Sequence, residues 1–304
     1  TNNFSEIKEL TSIVKPSQII ITNIFPTHLD KLINTRNIAI EKSDIFNRKY
    51  NPNVELIILP NNNVDEKFLI KLAKDNFVPN IFTFGKNHKS NLKISKIKKI
   101  DRNFAVLSLD YKNEIIDFTI NNNQLYRVNN FLICFLIFQY NNFDLNTYIT
   151  MAKNVPLLEG RGKQNKIILN NKKINFFDES YNASPETMKL CVNFFSDLKL
   201  KKNQKKYLIL GDMKELGKKA LNFHVELINY IASKKIENVI ICGELMKLAL
   251  DKLDNDKILC MLNKKSIYKY LQENLNINDI LLVKGSNSSL TNRLSKDLLK
   301  KGDF

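Results

Sequence analysis

From residue 174 onward the chain alternates short, unbroken apolar runs with stretches whose apolar residues recur at helical spacing, and few architectures accept that alternation. The runs at 174–177, 207–210, 239–242, 258–262 and 280–283 predict strands. Between them, Ser184 followed by Pro185 predicts an N-cap and a first helical residue, opening a helix whose Met188, Cys191, Phe195 and Leu198 share a face. Leu221, Val225, Ile228 and Ala232 predict a second stripe, and Leu290, Leu294 and Leu298 a third. Strands that are apolar throughout need cover on both faces, so this half is expected to be an α/β, doubly wound parallel sheet. Polar residues gather where the strands end, at Asp178, Gly211-Asp212, Gly243-Glu244 and Lys284-Gly285-Ser286. In such sheets ligands bind at the carboxyl ends of the strands, so these positions are expected to line a site.

The first half is less regular. Ile7, Leu10, Ile13 and Val14 predict an apolar helix face, followed after Pro16 by a buried strand at 19–24 and a loop carrying His28. A strand at 54–59, a helix at 68–73 and a strand at 81–84 predict a further βα unit. Residues 92–120 show short strand patterns with no helix between them, which predicts an antiparallel appendage. Helices are expected near 130–140 and 145–152. The Pro- and Gly-containing stretch 156–162 then precedes a fresh βα series, so domains are expected at 1–154 and 155–304.

With 43% hydrophobic residues in 304, the chain can bury more than one core. Its longest apolar run, 131–138, is far short of the roughly 20 residues that cross a bilayer, so no membrane insertion is expected. Four cysteines without a C-x-x-C pair, mostly within apolar runs, fit a reducing cytoplasm. The chain does not open on Met and no signal peptide is visible, so further polypeptide is expected upstream. The net charge of +16 raises the question of nucleic acid. However, the lysines are dispersed, Trp is absent and aromatics do not interleave with Arg, so a solvated basic surface is expected and no specific nucleic acid.

His28, in a loop leaving a strand, precedes Lys42 by fourteen positions, a pairing that suggests a metal-assisted phosphoryl site. Several motifs follow in order: Ile21-Thr22-Asn23-Ile24 with His28 and Lys42, Gly160-Arg161-Gly162, Asp178-Glu179-Ser180-Tyr181-Asn182-Ala183, Gly211-Asp212-Met213-Lys214-Glu215-Leu216-Gly217, His224, and Val283-Lys284-Gly285-Ser286. Each is weak alone, but in this order and spacing, from one end of the chain to the other, they resemble the Mur ligases.

That resemblance implies an incomplete P-loop-type central ATPase domain with an antiparallel appendage, followed by a Rossmann-like doubly wound C-terminal domain. It implies an ATP- and Mg2+-dependent ligase, acting as a monomer in peptidoglycan precursor synthesis. Such an enzyme would join D-Ala-D-Ala to UDP-MurNAc-tripeptide through an acyl phosphate. His28 matches a histidine near magnesium, and Lys42 a lysine carried as a carbamate. Carbamylation turns a cation into a two-oxygen anion, which suits a hard cation as an ammonium does not, and it requires a depressed lysine pKa. In the same carried-over sense, Asn130 would meet adenine, Arg161 the nucleotide phosphates, and Asp178 with Glu179 the ribose. Tyr181, Asn182, Ser184, Lys284 and Ser286 would face the nucleotide or the incoming dipeptide.

The chain also departs from that pattern. It contains no G-x-x-x-x-G-K-[ST]; around Gly160-Arg161-Gly162-Lys163, Leu157 and Gln164 stand where Gly and a hydroxyl belong. Phe25, Tyr126 and Asn287 stand where Gly, His and Arg are usual in the family. These 304 residues alone are therefore expected to be inactive as a ligase. Bland alternatives remain for several residues: Asp178 and Glu179 as a strand end capping the next turn, Arg161 as a salt-bridge partner, Gly211-Asp212 as the shape of a βα turn, and His224 as packing or a substrate contact. Another amide ligase of the superfamily, such as a folylpolyglutamate synthase, and a truncated nucleotide- or peptide-binding protein are the competing functions.

Overall fold

A computed structural model describes residues 1, 3–101, 103–253 and 255–301. The chain divides into two compact units, Thr1–Val155 and Pro156–Phe304. Each has its own mixed α/β sheet of six strands.

In the first unit, α1 (Glu6–Val14) leads to β1 (Gln18–Ile20), then α2 (Leu29–Leu32), α3 (Thr35–Ser43), β2 (Leu56–Pro60), α4 (Val64–Asp75) and β3 (Asn80–Gly85). Strands β1, β2 and β3 are parallel neighbours. Then β4 (Leu92–Lys99), β5 (Phe104–Tyr111) and β6 (Glu114–Asn121) extend the same sheet; β4 meets β3 in parallel, and β5 and β6 are antiparallel. The expected antiparallel appendage is thus continuous with the parallel part. Lys112 and Asn113 close the β5–β6 turn with φ of 53° and 67°, the left-handed pair that a two-residue hairpin turn requires. Helices α5 (Val128–Tyr140) and α6 (Leu145–Lys153) pack on this sheet through Phe131, Leu132, Phe135 and Tyr148. Tyr148 donates to the Phe131 carbonyl at 2.8 Å, so its buried hydroxyl is satisfied.

Two details differ from expectation. The strand expected at 19–24 stops at Ile20; only the Ile21 N–H continues the ladder, to the Ile58 carbonyl, and the chain then turns away toward His28. The α1 stripe is not buried: Leu10, Ile13 and Val14 are 61%, 78% and 68% exposed, and Thr11 points inward instead. Within this unit the helix is held by its N-terminus, where the buried Glu41 carboxylate accepts from the Ser5 and Ile7 N–H groups.

In the second unit, β7 (Lys163–Leu169) and β8 (Lys172–Glu179) form a hairpin, followed by α7 (Pro185–Asp197), β9 (Lys206–Gly211), α8 (Ala220–Ala232), β10 (Asn238–Cys242), α9 (Glu244–Leu250), β11 (Ile258–Cys260), α10 (Lys264–Asn274), β12 (Ile280–Lys284) and α11 (Leu290–Lys301). The strand order is β11-β10-β9-β12-β8-β7, parallel except for the β7–β8 hairpin at one edge. Helices cover both faces, with separate clusters around Met188, Phe195 and Leu227 and around Phe176, Leu271 and Leu294. Strand β7 escapes an apolar-run reading because Lys163-Gln164-Asn165-Lys166 opens it, although Asn170-Asn171 is a hairpin signal and both residues have positive φ. The stripe expected on α8 is also rotated: His224, Leu227, Ile228 and Ile231 are buried, whereas Ala232 is exposed. The polar His224 occupies a core position, so a purely apolar count misplaces the face. Of the four cysteines, Cys191 and Cys242 are buried, while Cys134 and Cys260 are exposed rather than core. Among the described residues, no helix is long and apolar enough to cross a membrane.

Candidate functional site

In the second unit, parallel pairing puts Asp178 beside Val283, Glu179 beside Lys284, and Lys284 beside Leu210, so the polar tips of β8, β12 and β9 meet at one sheet edge. Asp178 is buried. Its two carboxylate oxygens accept from the Gly160 and Ser180 N–H groups at 3.0 and 3.1 Å, and its carbonyl accepts from the Gly162 N–H. This is the turn-capping geometry, and it fixes the 160–162 loop on the end of β8. Gly160 has φ +67°, and a Cβ there would lie 2.9 Å from the Tyr181 Cβ, so glycine alone permits the approach. The result is an exposed couple in which the Arg161 guanidinium lies 4.4 Å from the Tyr181 ring centroid, with Tyr181 50% exposed.

Lys284 and Glu179 form a buried pair at 3.6 Å, and Lys284 also donates to the Asn182 carbonyl at 2.8 Å. The ammonium therefore positions the Tyr181-Asn182 turn, while the Asn182 side chain stays exposed. Ser184 is the N-cap of α7, in a reciprocal box with Thr187, and its hydroxyl is buried. Ser286 accepts from the Lys214 N–H at 3.0 Å, and its own N–H bonds to the Asp212 carbonyl. Of the expected residues, Arg161, Tyr181 and Asn182 thus present side chains outward, while Asp178, Glu179, Ser184, Lys284 and Ser286 shape the loops behind them.

Behind that surface, Asp212, Gly243, Gly285 and His224, all named from the sequence, meet two residues the sequence did not single out, Thr291 and Asn292. Asp212 accepts from the Met246 N–H at 3.0 Å, and a Cβ at Gly243 would lie 2.4 Å from its carboxylate. Thr291 crowds Gly285, where a Cβ would sit 2.1 Å from its Oγ1, and Asn292 donates to the Ser180 carbonyl. Both belong to the first turn of α11, where polar residues look like ordinary solvated helix. His224 has both ring nitrogens engaged: Nδ1 donates to the Ala220 carbonyl at 2.7 Å and Nε2 accepts from the Met213 N–H at 3.0 Å. Burial lowers its pKa, which keeps the ring neutral as this tautomer requires. The geometry is that of a packing residue holding the Gly211-Asp212-Met213 loop.

In the first unit, α3 carries Lys42 back to the exit of β1, where Nζ donates to the Asn23 carbonyl at 2.9 Å. His28 stands five residues along that exit, as the N-cap residue of α2, with φ 55°. Burial lowers the Lys42 pKa, and the Glu66 charge opposes that shift. Among the described residues, no three His, Cys, Asp or Glu side chains cluster as a metal site. As they stand, an imidazole and an ammonium do not fit a hard, oxygen-seeking cation. Asn130, in the first turn of α5, opens onto a recess of about 160 Å3 whose walls, including Phe131, Phe138, Tyr148 and Met151, are almost wholly apolar. His88 is exposed, on the loop before β4.

Both units resemble known proteins. Residues 1–138 match the Mur ligase middle domain, and residues 166–287 match the Mur ligase glutamate ligase domain. A UDP-N-acetylmuramoyl-tripeptide--D-alanyl-D-alanine ligase of Rickettsia prowazekii is 30% identical over 287 residues, covering 94% of this chain and 62% of the relative. The ligase of the same name from Borreliella burgdorferi is 25% identical, covering 95% and 60%. The chain thus spans about three fifths of the length of these relatives. Among solved structures, MurF of Acinetobacter baumannii superposes with a TM-score of 0.80 at 20% identity, covering 99% of this chain and 63% of the other. MurF of Thermotoga maritima in complex with ADP gives 0.79 at 19% identity, covering 99% and 66%. At these identities the superpositions speak for the fold, the two domain matches occupy most of the sequence, and the chain belongs to the Mur ligase family.

Proposed function

We propose that this chain is the nucleotide- and amine-handling part of a cytoplasmic, monomeric ligase that joins D-Ala-D-Ala to UDP-MurNAc-tripeptide at the expense of ATP. The observation that carries this reading is the match of nearly the whole chain to curated relatives bearing that activity in their names. The chemistry has two steps. A substrate carboxylate oxygen attacks the γ-phosphorus and ADP leaves; the dipeptide amine then attacks the acyl carbon, phosphate leaves and the amine loses a proton. Neither step asks for a covalent protein intermediate, so the protein contributes placement and charge neutralisation.

In the second unit, the Arg161 guanidinium is the group suited to nucleotide phosphates, being exposed and pre-oriented by its stack on Tyr181. Asn182 offers an exposed amide, positioned by Lys284, for ligand polar groups. Asp178 and Glu179 serve the same surface, Asp178 by anchoring the Arg161 loop and Glu179 by balancing Lys284. In the first unit, the apolar recess at Asn130 suits the flat face of a base, with the Asn130 amide at its rim. Lys42, with its pKa lowered by burial, is set up for carbamylation, and the carbamate, with His28 as the other candidate ligand, would supply the oxygens for Mg2+ that an ammonium lacks. A mass increment of one CO2 on the peptide containing Lys42, lost on acidification, is the expected signature.

Because the 304 residues contain no G-x-x-x-x-G-K-[ST], the cradle for the triphosphate is not expected from them. The decisive assay is phosphate release with a panel of amines: D-Ala-D-Ala should support turnover by a protein that joins these residues to a triphosphate cradle, and none by these residues alone. Turnover with glutamate or another single amino acid, and not with the dipeptide, would assign another amide ligase. Arg161→Ala should weaken ADP binding by about tenfold, the size expected for one hydrogen bond to a charged group.

A further inference from the structure

The peptide group joining Asn23 to Ile24 is gripped at both of its polar ends. Its carbonyl accepts from Lys42 Nζ at 2.9 Å, and its N–H points to Glu66 Oε1 at 3.5 Å. Glu66 lies in the first turn of α4 and is 1% exposed. Its other oxygen, Oε2, accepts from the Asn62 and Asn63 N–H groups at 2.7 and 3.2 Å. The Asn62 side chain in turn accepts from the Lys86 N–H at 2.8 Å, and a Cβ on Gly85 would come within 2.3 Å of that oxygen.

Capping α4 explains Oε2: with Asn63 it completes a reciprocal capping box. It does not explain Oε1, which reaches a residue 42 positions earlier. One buried carboxylate therefore touches the exits of β1 and β2 directly, and that of β3 through Asn62. These are the carboxyl ends of the three parallel strands, where sheets of this kind bind ligands. A buried peptide group needs both polar ends satisfied, so Lys42 and Glu66 together fix its plane and with it the start of the segment that ends at His28.

We propose that Glu66 is a positioning residue that sets the Asn23–Ile24 peptide, and through it the placement of Lys42 and the His28 loop. The link to ligase chemistry rests on the function proposed above; the positioning does not. Hydrogen exchange on the unmodified chain is the first test, since it needs no variant. The Ile24 amide lies outside any strand, yet it should be protected to the same order as the Asn62 amide, and exchange at the rate of an open loop would overturn the proposal. The second test is NMR of Glu66→Gln, whose amide keeps one acceptor for the α4 cap while losing the second. The Ile24 amide should exchange at least tenfold faster, and the Lys42 and His28 side-chain resonances should move. In Asn63→Ala, which removes the cap partner and leaves Oε1 in place, Ile24 should stay protected. Changes in Glu66→Gln confined to residues 62, 63 and α4 would show a helix cap and nothing more. None of these readouts involves turnover, so they stand or fall separately from the ligase reading.

Discussion

His224, which the sequence left open between packing and a substrate contact, spends both ring nitrogens on backbone groups. Replacing it with Phe keeps the volume roughly but strands the buried Met213 N–H, so a loss of about 1–3 kcal/mol is expected in urea unfolding. Because burial lowers its pKa, the unfolded chain takes up a proton on this ring that the folded chain refuses. Stability from this residue should therefore be intact above the unfolded value of 6.5 and fall as pH drops through it, a dependence that His224→Phe should abolish. Lys284 and Glu179 make the complementary case. Removing the ammonium with Lys284→Met takes the Lys284 charge away from the buried Glu179 carboxylate, at a cost of about 3–5 kcal/mol, and adding Glu179→Gln should recover much of it. The sequence named Asp178, Glu179, Lys284 and Ser286 because they end strands, and the structure does gather them at one edge. Which of them face outward was not legible, because that depends on where backbone N–H groups from residues 160–162 and 214 happen to arrive.

At the level of elements, Ser184-Pro185 is a start signal that needs no tertiary context: the cap bonds to Thr187, three residues on, within one turn. Ser184→Ala should cost about 1 kcal/mol, seen as a shift in the urea midpoint, with Ser184→Asp close to neutral. Elements whose signal is local and apolar, such as β9, β10 and β12, could be located from the sequence. Those that depend on distant partners could not. β7 is half polar and exists because β8 offers it an edge through the Asn170-Asn171 turn. α3 has little apolar character of its own, yet it is the helix that delivers Lys42. α1 has the opposite history: its apolar stripe is genuine, but within this unit its residues stay outside while Glu41 holds the helix end.

For the whole molecule, each unit has its own sheet and core, so residues 156–304 produced alone should unfold cooperatively in urea with native near-ultraviolet dichroism. A molten, non-cooperative product would show that this unit needs the other. What the sequence determined by itself was the alternation of apolar strand runs with helical stripes and the order of the family motifs. These are short-range properties, set by side-chain periodicity and by Pro and Gly backbone limits, so a linear reading captures them. Only the tertiary structure decided that Asp178 spends its oxygens on a turn, that Arg161 and Tyr181 form the exposed pair, and that Glu66 reaches Ile24. These outcomes depend on which buried polar groups remain unsatisfied once the sheets have closed, and that can be settled only when residues far apart in the chain are packed together.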